Sequence, residues 1–218
     1  MKITEFLYQI KSGRAAATLS LAIILQLPAF TGTEARSIRD VWLAMPDSLS
    51  GVLDGKQRME LLNLSDMGIG RETDNLLGGK SRLLTLTDQF MDVKTSASSS
   101  LQLRLLPHGT DSVVCVARTF LAPEPETLVE IYDVATLQKL SNVELGIEQL
   151  IERPDTMTDE RFEELKNHLD PYFVSATLNA DSDELAFKAT VSSLVAEYQA
   201  AAALLVERRL QWDGERFR

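Results

Sequence analysis

Cysteine occurs once, at Cys115, and histidine twice, at His108 and His168, in a chain of 218 residues. A lone cysteine has no intramolecular partner, so no disulfide framework holds this protein. The histidines have no cysteine or second histidine at ligand spacing, which excludes the usual zinc patterns, and no metal or cofactor is expected. Basic residues are also short: 22 Lys and Arg stand against 32 Asp and Glu, a net charge of −10. An acidic surface repels phosphate backbones, so nucleic acid is not an expected partner. Local catalytic signatures are missing as well, with no H-E-x-x-H, G-x-S-x-G or S-x-x-K run. What is present is an ordinary globular composition, 44% hydrophobic, long enough for one sizeable core.

Long hydrophobic runs are equally scarce. The nearest is residues 15–30, uncharged and preceded by Lys2, Lys11 and Arg14, but interrupted by Pro28. It falls short of the roughly 20 apolar residues that a bilayer span requires. Basic start, short apolar centre and the small-x-small triplet Thr33-Glu34-Ala35 are the layout of a secretory signal peptide over residues 1–35, cleaved before Arg36. No cysteine stands at its end to carry a lipid, so the expected product is a released protein of the periplasm or cell surface with no membrane span. Cleavage removes three cationic and two anionic residues and leaves a net charge of −11.

Residues 36–218 then read as a single α+β domain. Ser37 with Asp40 and Asp54 with its following turn are N-cap signals, the second for a helix over about residues 56–67 with Met59, Leu61 and Leu62 as its apolar stripe. From Leu83 the period shortens to two. Leu84 and Leu86 form one row, and Leu101, Leu103 and Leu105 another, with Gln102 and Arg104 on the reverse face. Residues 112–120 are apolar on both faces, as in a central strand, and Cys115 within them reads as a buried small hydrophobe. Residues 83–133 are thus expected to be a four- or five-stranded meander. Thr158 caps a helix over residues 159–168, whose acidic start suits the helix dipole. Residues 172–178 and 185–191 alternate as a hairpin, a last helix runs from about residue 194, and Asp213-Gly214 turns a terminal hairpin. The architecture expected is mainly antiparallel sheet, a meander plus hairpins, packed with about four helices.

Three segments invite chemistry, and each has a plainer reading. Residues 75–81 end in Gly79-Lys80-Ser81 like a phosphate loop, but Asp74 stands where the first glycine belongs and a strand follows instead of a helix; a glycine turn between helix and strand is expected. Asn179, Asp181 and Asp183 are spaced like the opening of a calcium loop, but Glu184 replaces the turn glycine and Thr190 the bidentate glutamate, which leaves a hairpin tip. Trp212 to Phe217 could present aromatics for recognition, yet aromatics across an Asp-Gly turn also stabilise a hairpin unaided. Catalytic residues are not identified by any of these.

Several segments together carry a resemblance: residues 45–48, 75–81 with 86–88, 103–107, 111–123 and 153–157, and Trp212-Asp213-Gly214 with Phe217. They resemble an uncharacterised domain-of-unknown-function family of small exported Bacteroidetes-type proteins, along nearly all of residues 36–217. The resemblance implies export and one compact unit, and it transfers no site residue. The expectation is a non-enzymatic binding module for a protein, peptide or glycan of the cell envelope, marked by a contiguous exposed apolar patch. The alternative is a cofactor-independent hydrolase with two carboxylates assembled by the fold, marked by converging acids of raised pKa.

Overall fold

Ser37 opens the described chain as a complete capping box: its side chain accepts from the Asp40 amide, and the Asp40 carboxylate accepts from the Ser37 amide. The computed structural model describes residues 36–191 and 196–218; the expected signal segment, and the start of the last helix at residues 192–195, lie outside them. Helix α1 (Ile38–Ala44) buries Ile38, Val41 and Trp42. Pro46 then starts a one-turn helix, α2 (Asp47–Ser50). Asp54 caps α3 (Gly55–Asp66) through a second capping box with Gln57.

The inward face of α3 differs from the expected stripe. Met59 is exposed, and Arg58 is buried with Leu61 and Leu62 at the three- and four-residue spacing of one helix face. Arg58 belongs inside because its guanidinium holds the turns around α2. It donates to the Met45 carbonyl at 2.5 Å, the Asp47 carboxylate at 2.7 Å, the Ser50 hydroxyl at 2.8 Å and the Leu53 carbonyl at 2.9 Å. Without that cation several buried acceptors would be unsatisfied.

The meander is longer than expected, with seven antiparallel strands in sequence order: β1 (Glu72–Asp74), β2 (Lys80–Leu86), β3 (Phe90–Ser96), β4 (Ser99–His108), β5 (Asp111–Phe120), β6 (Glu126–Asp133) and β7 (Lys139–Asn142). The two added strands are the edges, each short and charged, which is why they carry no alternating apolar signal. After α4 (Asp159–Lys166), capped by Thr158, come β8 (Tyr172–Leu178) and β9 (Glu184–Val191). Helix α5 (Ala196–Ala201) leads to β10 (Arg208–Gln211), which pairs with β9 to complete a second, three-stranded sheet. Ten antiparallel strands and five α-helices among the described residues make an α+β fold with mainly antiparallel sheet. Residues 35–218 form one compact unit.

The large sheet is covered on both faces, by different layers. Val114 and Val116 of β5 join Leu101, Leu103 and Leu105 of β4 against Trp42, Leu61 and their helical neighbours. Val113, Cys115 and Ala117 face the opposite way, against Ala176, Leu178, Leu185 and Phe187 of the small sheet. Two-residue alternation thus serves two cores from one strand. Trp212 and Phe217 close the second core edge to face, 5.2 Å between ring centres, and the Trp212 indole donates to the Pro107 carbonyl at 2.7 Å. The terminal aromatic pair is therefore a fastening of the C-terminal hairpin.

Gln102 and Arg104, on the polar side of β4, hold the two sheets together. The Gln102 side-chain oxygen accepts from the Leu178 amide at 3.0 Å, while its nitrogen donates to Asp92 at 3.1 Å. The buried Arg104 guanidinium donates to the Ala180 carbonyl at 2.6 Å and to the Asp183 carboxylate at 2.9 Å. Replacing Arg104 by Met leaves these acceptors without their donor, so a loss of about 2–3 kcal/mol is expected in urea unfolding. Lys at the same position does not restore it, because a point charge cannot reach both acceptors as the planar fork does. Unchanged stability of Arg104→Met would refute this role.

A candidate binding face

The two covers are offset, and each leaves part of the large sheet open. Alternation puts Ser81 and Leu83 of β2 on the helix side, where both are buried, and Lys80, Arg82 and Leu84 on the other, where all three are exposed. Register continues that open face sideways: Glu72 of β1 lies opposite Arg82, and Arg82 lies opposite the exposed Lys94 of β3. Leu84 was expected in one row with Leu86. A bulge between Leu83 and Thr85 breaks the alternation, so Leu83 packs in the core, Leu86 packs against it, and Leu84 is 45% exposed.

The loop joining β1 to β2 walls this face. The segment with the phosphate-loop ending is a hairpin between strands, correcting the expected link from a helix. Asn75 consumes the amides that a phosphate would need: its side-chain oxygen accepts from Leu77 and Gly79, each at 3.0 Å. Its side-chain nitrogen donates to the Thr95 carbonyl at 3.1 Å, and Ser81 is wholly buried beneath. Gly78 has φ +77°, a conformation that glycine adopts without strain. With its polar groups turned inward, the loop points Leu76 and Leu77 outward, Leu77 at 73% exposure.

Between this loop and the Ser96–Ser98 turn lies a hollow of about 740 Å³ lined by Leu77, Lys80, Arg82, Leu84 and Lys94. A second, of about 690 Å³, adjoins it and shares Glu72, Lys80, Arg82 and Leu84, adding Ile69 and Arg71. Both lie in the range of ligand sites. Four cations stand here; Glu72 and Asp74 pair with Arg82 and Lys80, the charge of Glu60 also acts on Lys80, and Arg71 donates to the Leu84 carbonyl at 3.2 Å. Hydrogen bonding and charge from Asp74 push the Lys80 ammonium above its ordinary value, so it is cationic at neutral pH. Lys94 has no ion-pair partner among the described residues.

The other segments singled out in the sequence are occupied internally. The calcium-like tip at residues 179–183 already receives a cation, the Arg104 guanidinium, through two carbonyls and the Asp183 carboxylate. Among the described residues no three His, Cys, Asp or Glu groups gather to hold a metal. His108 Nδ1 lies 2.9 Å from the Gly214 carbonyl of the C-terminal hairpin, and His168 Nδ1 lies 2.9 Å from the Glu164 carbonyl one turn before it. Cys115 is buried, and burial pushes its thiol up, away from the reactive thiolate. Burial also raises the Asp92 carboxyl, but its hydrogen-bond partner is the Gln102 amide and not a second carboxylate.

One buried carboxylate lies on the helix-side face of the large sheet. Glu130 accepts from Arg118 at 2.6 Å, Tyr132 at 2.8 Å and Lys139 at 3.1 Å. Burial pushes its carboxyl up, but the Tyr132 and Lys139 hydrogen bonds and the Arg118 charge outweigh this and hold it below its usual value of 4.5. Burial and Glu130 in turn push the Tyr132 hydroxyl up to about 12. Sequence reasoning named none of these four residues, because three strands bring them together.

A family model for proteins of unknown function (DUF3256) matches residues 30–217, and the chain belongs to that family. A solved domain of an uncharacterised protein from Porphyromonas gingivalis W83 shares the fold, with a TM-score of 0.64 at 23% identity over 84% of this chain and 98% of that one. No curated protein matches.

The Glu130 cluster makes stability depend on acid. A carboxyl whose folded pKa lies below its unfolded value stabilises the fold above about pH 4.5 and loses that contribution as pH falls through the folded value. Glu130→Gln is therefore expected to be less stable than the parent at pH 7, with the gap closing as pH drops below 4.5. A gap independent of pH, measured by urea unfolding, would contradict the assignment.

Proposed function

We propose that the protein is an exported, non-enzymatic binding module of the periplasm or cell surface, and that it binds its partner through the open face of β1 to β3. The observation that carries this reading is the joining of exposed Ile69, Leu77 and Leu84 with Arg71, Lys80, Arg82 and Lys94 in two adjoining hollows. Exposed aliphatic groups beside cations, concave and on rigid strands, are what recognition requires and what a lone monomer does not need. Two other hollows among the described residues, of about 350 and 380 Å³, are smaller. That of about 350 Å³ on the outer face of the small sheet is lined by Ser175, Thr177, Lys188 and Arg209, among others.

Export is supported by the layout of residues 1–35 and by two boundaries that fall beside the expected cleavage point. The family match starts at residue 30 and the compact unit at residue 35. Protein recovered from the envelope fraction of the native organism should begin at Arg36; recovery from the cytoplasm with Met1 intact would contradict export.

Binding is tested by substitution on the two open parts of the sheet. Leu77→Glu combined with Leu84→Glu should abolish capture of the partner from envelope extract with the fold retained in thermal unfolding, since neither side chain belongs to a core. Phe120→Glu with Leu128→Glu, on the helix-side face near Arg118, serves as the control and should leave capture intact. Capture that survives the first pair and fails with the second would move the site.

A further inference from the structure

We propose that the partner of this face is an acidic peptide segment in extended conformation, with leucine-like side chains alternating with carboxylates. This rests on the binding-module reading and gives it a ligand class. The first argument is charge. The chain carries −10 overall, yet Arg71, Lys80, Arg82 and Lys94 collect on one face; Asp74 and Glu72 pair with Lys80 and Arg82, Glu60 also acts on Lys80, Arg71 donates to the Leu84 carbonyl, and Lys94 has no ion-pair partner among the described residues. In a protein of this sign, a local excess of cations attracts an anionic partner while the rest of the surface repels it, which fixes where such a partner lands.

The second argument is shape and lining. Leu84 and Arg82 are neighbours on β2 at the floor shared by both hollows, with Leu77 at one end and Ile69 at the other. Apolar anchors and cations thus line both hollows together. An extended peptide, whose side chains alternate in direction, offers apolar groups to one set and carboxylates to the other. No aromatic residue lines either hollow, so the stacking platform that a sugar ring uses is missing from this face. A flat bilayer cannot follow a floor set between the Asn75–Gly79 loop and the Ser96–Ser98 turn, whereas a single chain can.

Fluorescence anisotropy with a labelled peptide of about twelve residues alternating Glu and Leu tests this directly. Glu–Ser and Lys–Leu peptides of equal length, and phosphatidylglycerol vesicles, are the controls. The Glu–Leu peptide should bind at least tenfold more tightly than either peptide control, and binding should weaken as salt rises. Lys94→Glu and Leu84→Glu should each weaken it about tenfold or more, with Phe120→Glu without effect. Absence of binding, or binding indifferent to Lys94→Glu, overturns the proposal; so does binding to the vesicles through these residues without binding to the peptide. Should the peptide fail while the Leu77 and Leu84 substitutions still abolish envelope capture, the ligand class falls and the module stands. Should both fail, the module reading falls with it.

Discussion

Strand β5 is apolar on both faces, and that requirement organises the molecule. Val114 and Val116 need one cover, and Val113, Cys115 and Ala117 need another on the opposite side of the same sheet. The chain supplies helices α1 to α3 for the first and the three-stranded sheet for the second. Burial of this kind contributes roughly 25 cal/mol per Å² of apolar surface without fixing orientation. Orientation comes from a few buried polar groups: Arg58 sets the turns of the helical cover, while Gln102 and Arg104 set the small sheet across β4.

Neither cover extends over the whole sheet, and the uncovered part is where the candidate function falls. Within the cores, cations are consumed. Arg58, Arg104 and Arg118 each end on carbonyls or carboxylates that the fold itself provides. On the open β1 to β3 face, Lys80 and Arg82 pair with Asp74 and Glu72 and Arg71 donates to the Leu84 carbonyl, but Lys94 has no ion-pair partner among the described residues and stands beside exposed leucines. The calcium-like tip shows the same economy from the other side: the Asn179 and Ala180 carbonyls and the Asp183 carboxylate gather round a cation that belongs to the protein.

Much of the fold was legible because it follows local rules. Ser37, Asp54 and Thr158 cap helices as their residue types dictate, and the stripe Phe162, Leu165 and Leu169 packs as its spacing implies. The double-sided strand at residues 112–120 and its buried Cys115 were equally plain. What escaped depends on neighbours distant in sequence. Arg58 reads as a surface residue until the carbonyls of residues 45 and 53 arrive beside it. Leu84 reads as sharing a row with Leu86 until a bulge opposite β3 separates them. The candidate face was invisible for the same reason: Arg82 and Lys94 are neighbours only through strand register, and Lys80 stood out only as part of a motif that the hairpin does not use.

The central claim is that this face is occupied in the native setting. Lysine acetylation footprinting, comparing purified protein with protein in its native envelope extract, measures that most directly. Lys80 and Lys94 should lose reactivity in the extract while Lys56 and Lys188, exposed elsewhere, keep theirs. Equal reactivity of all four in both settings would contradict the account.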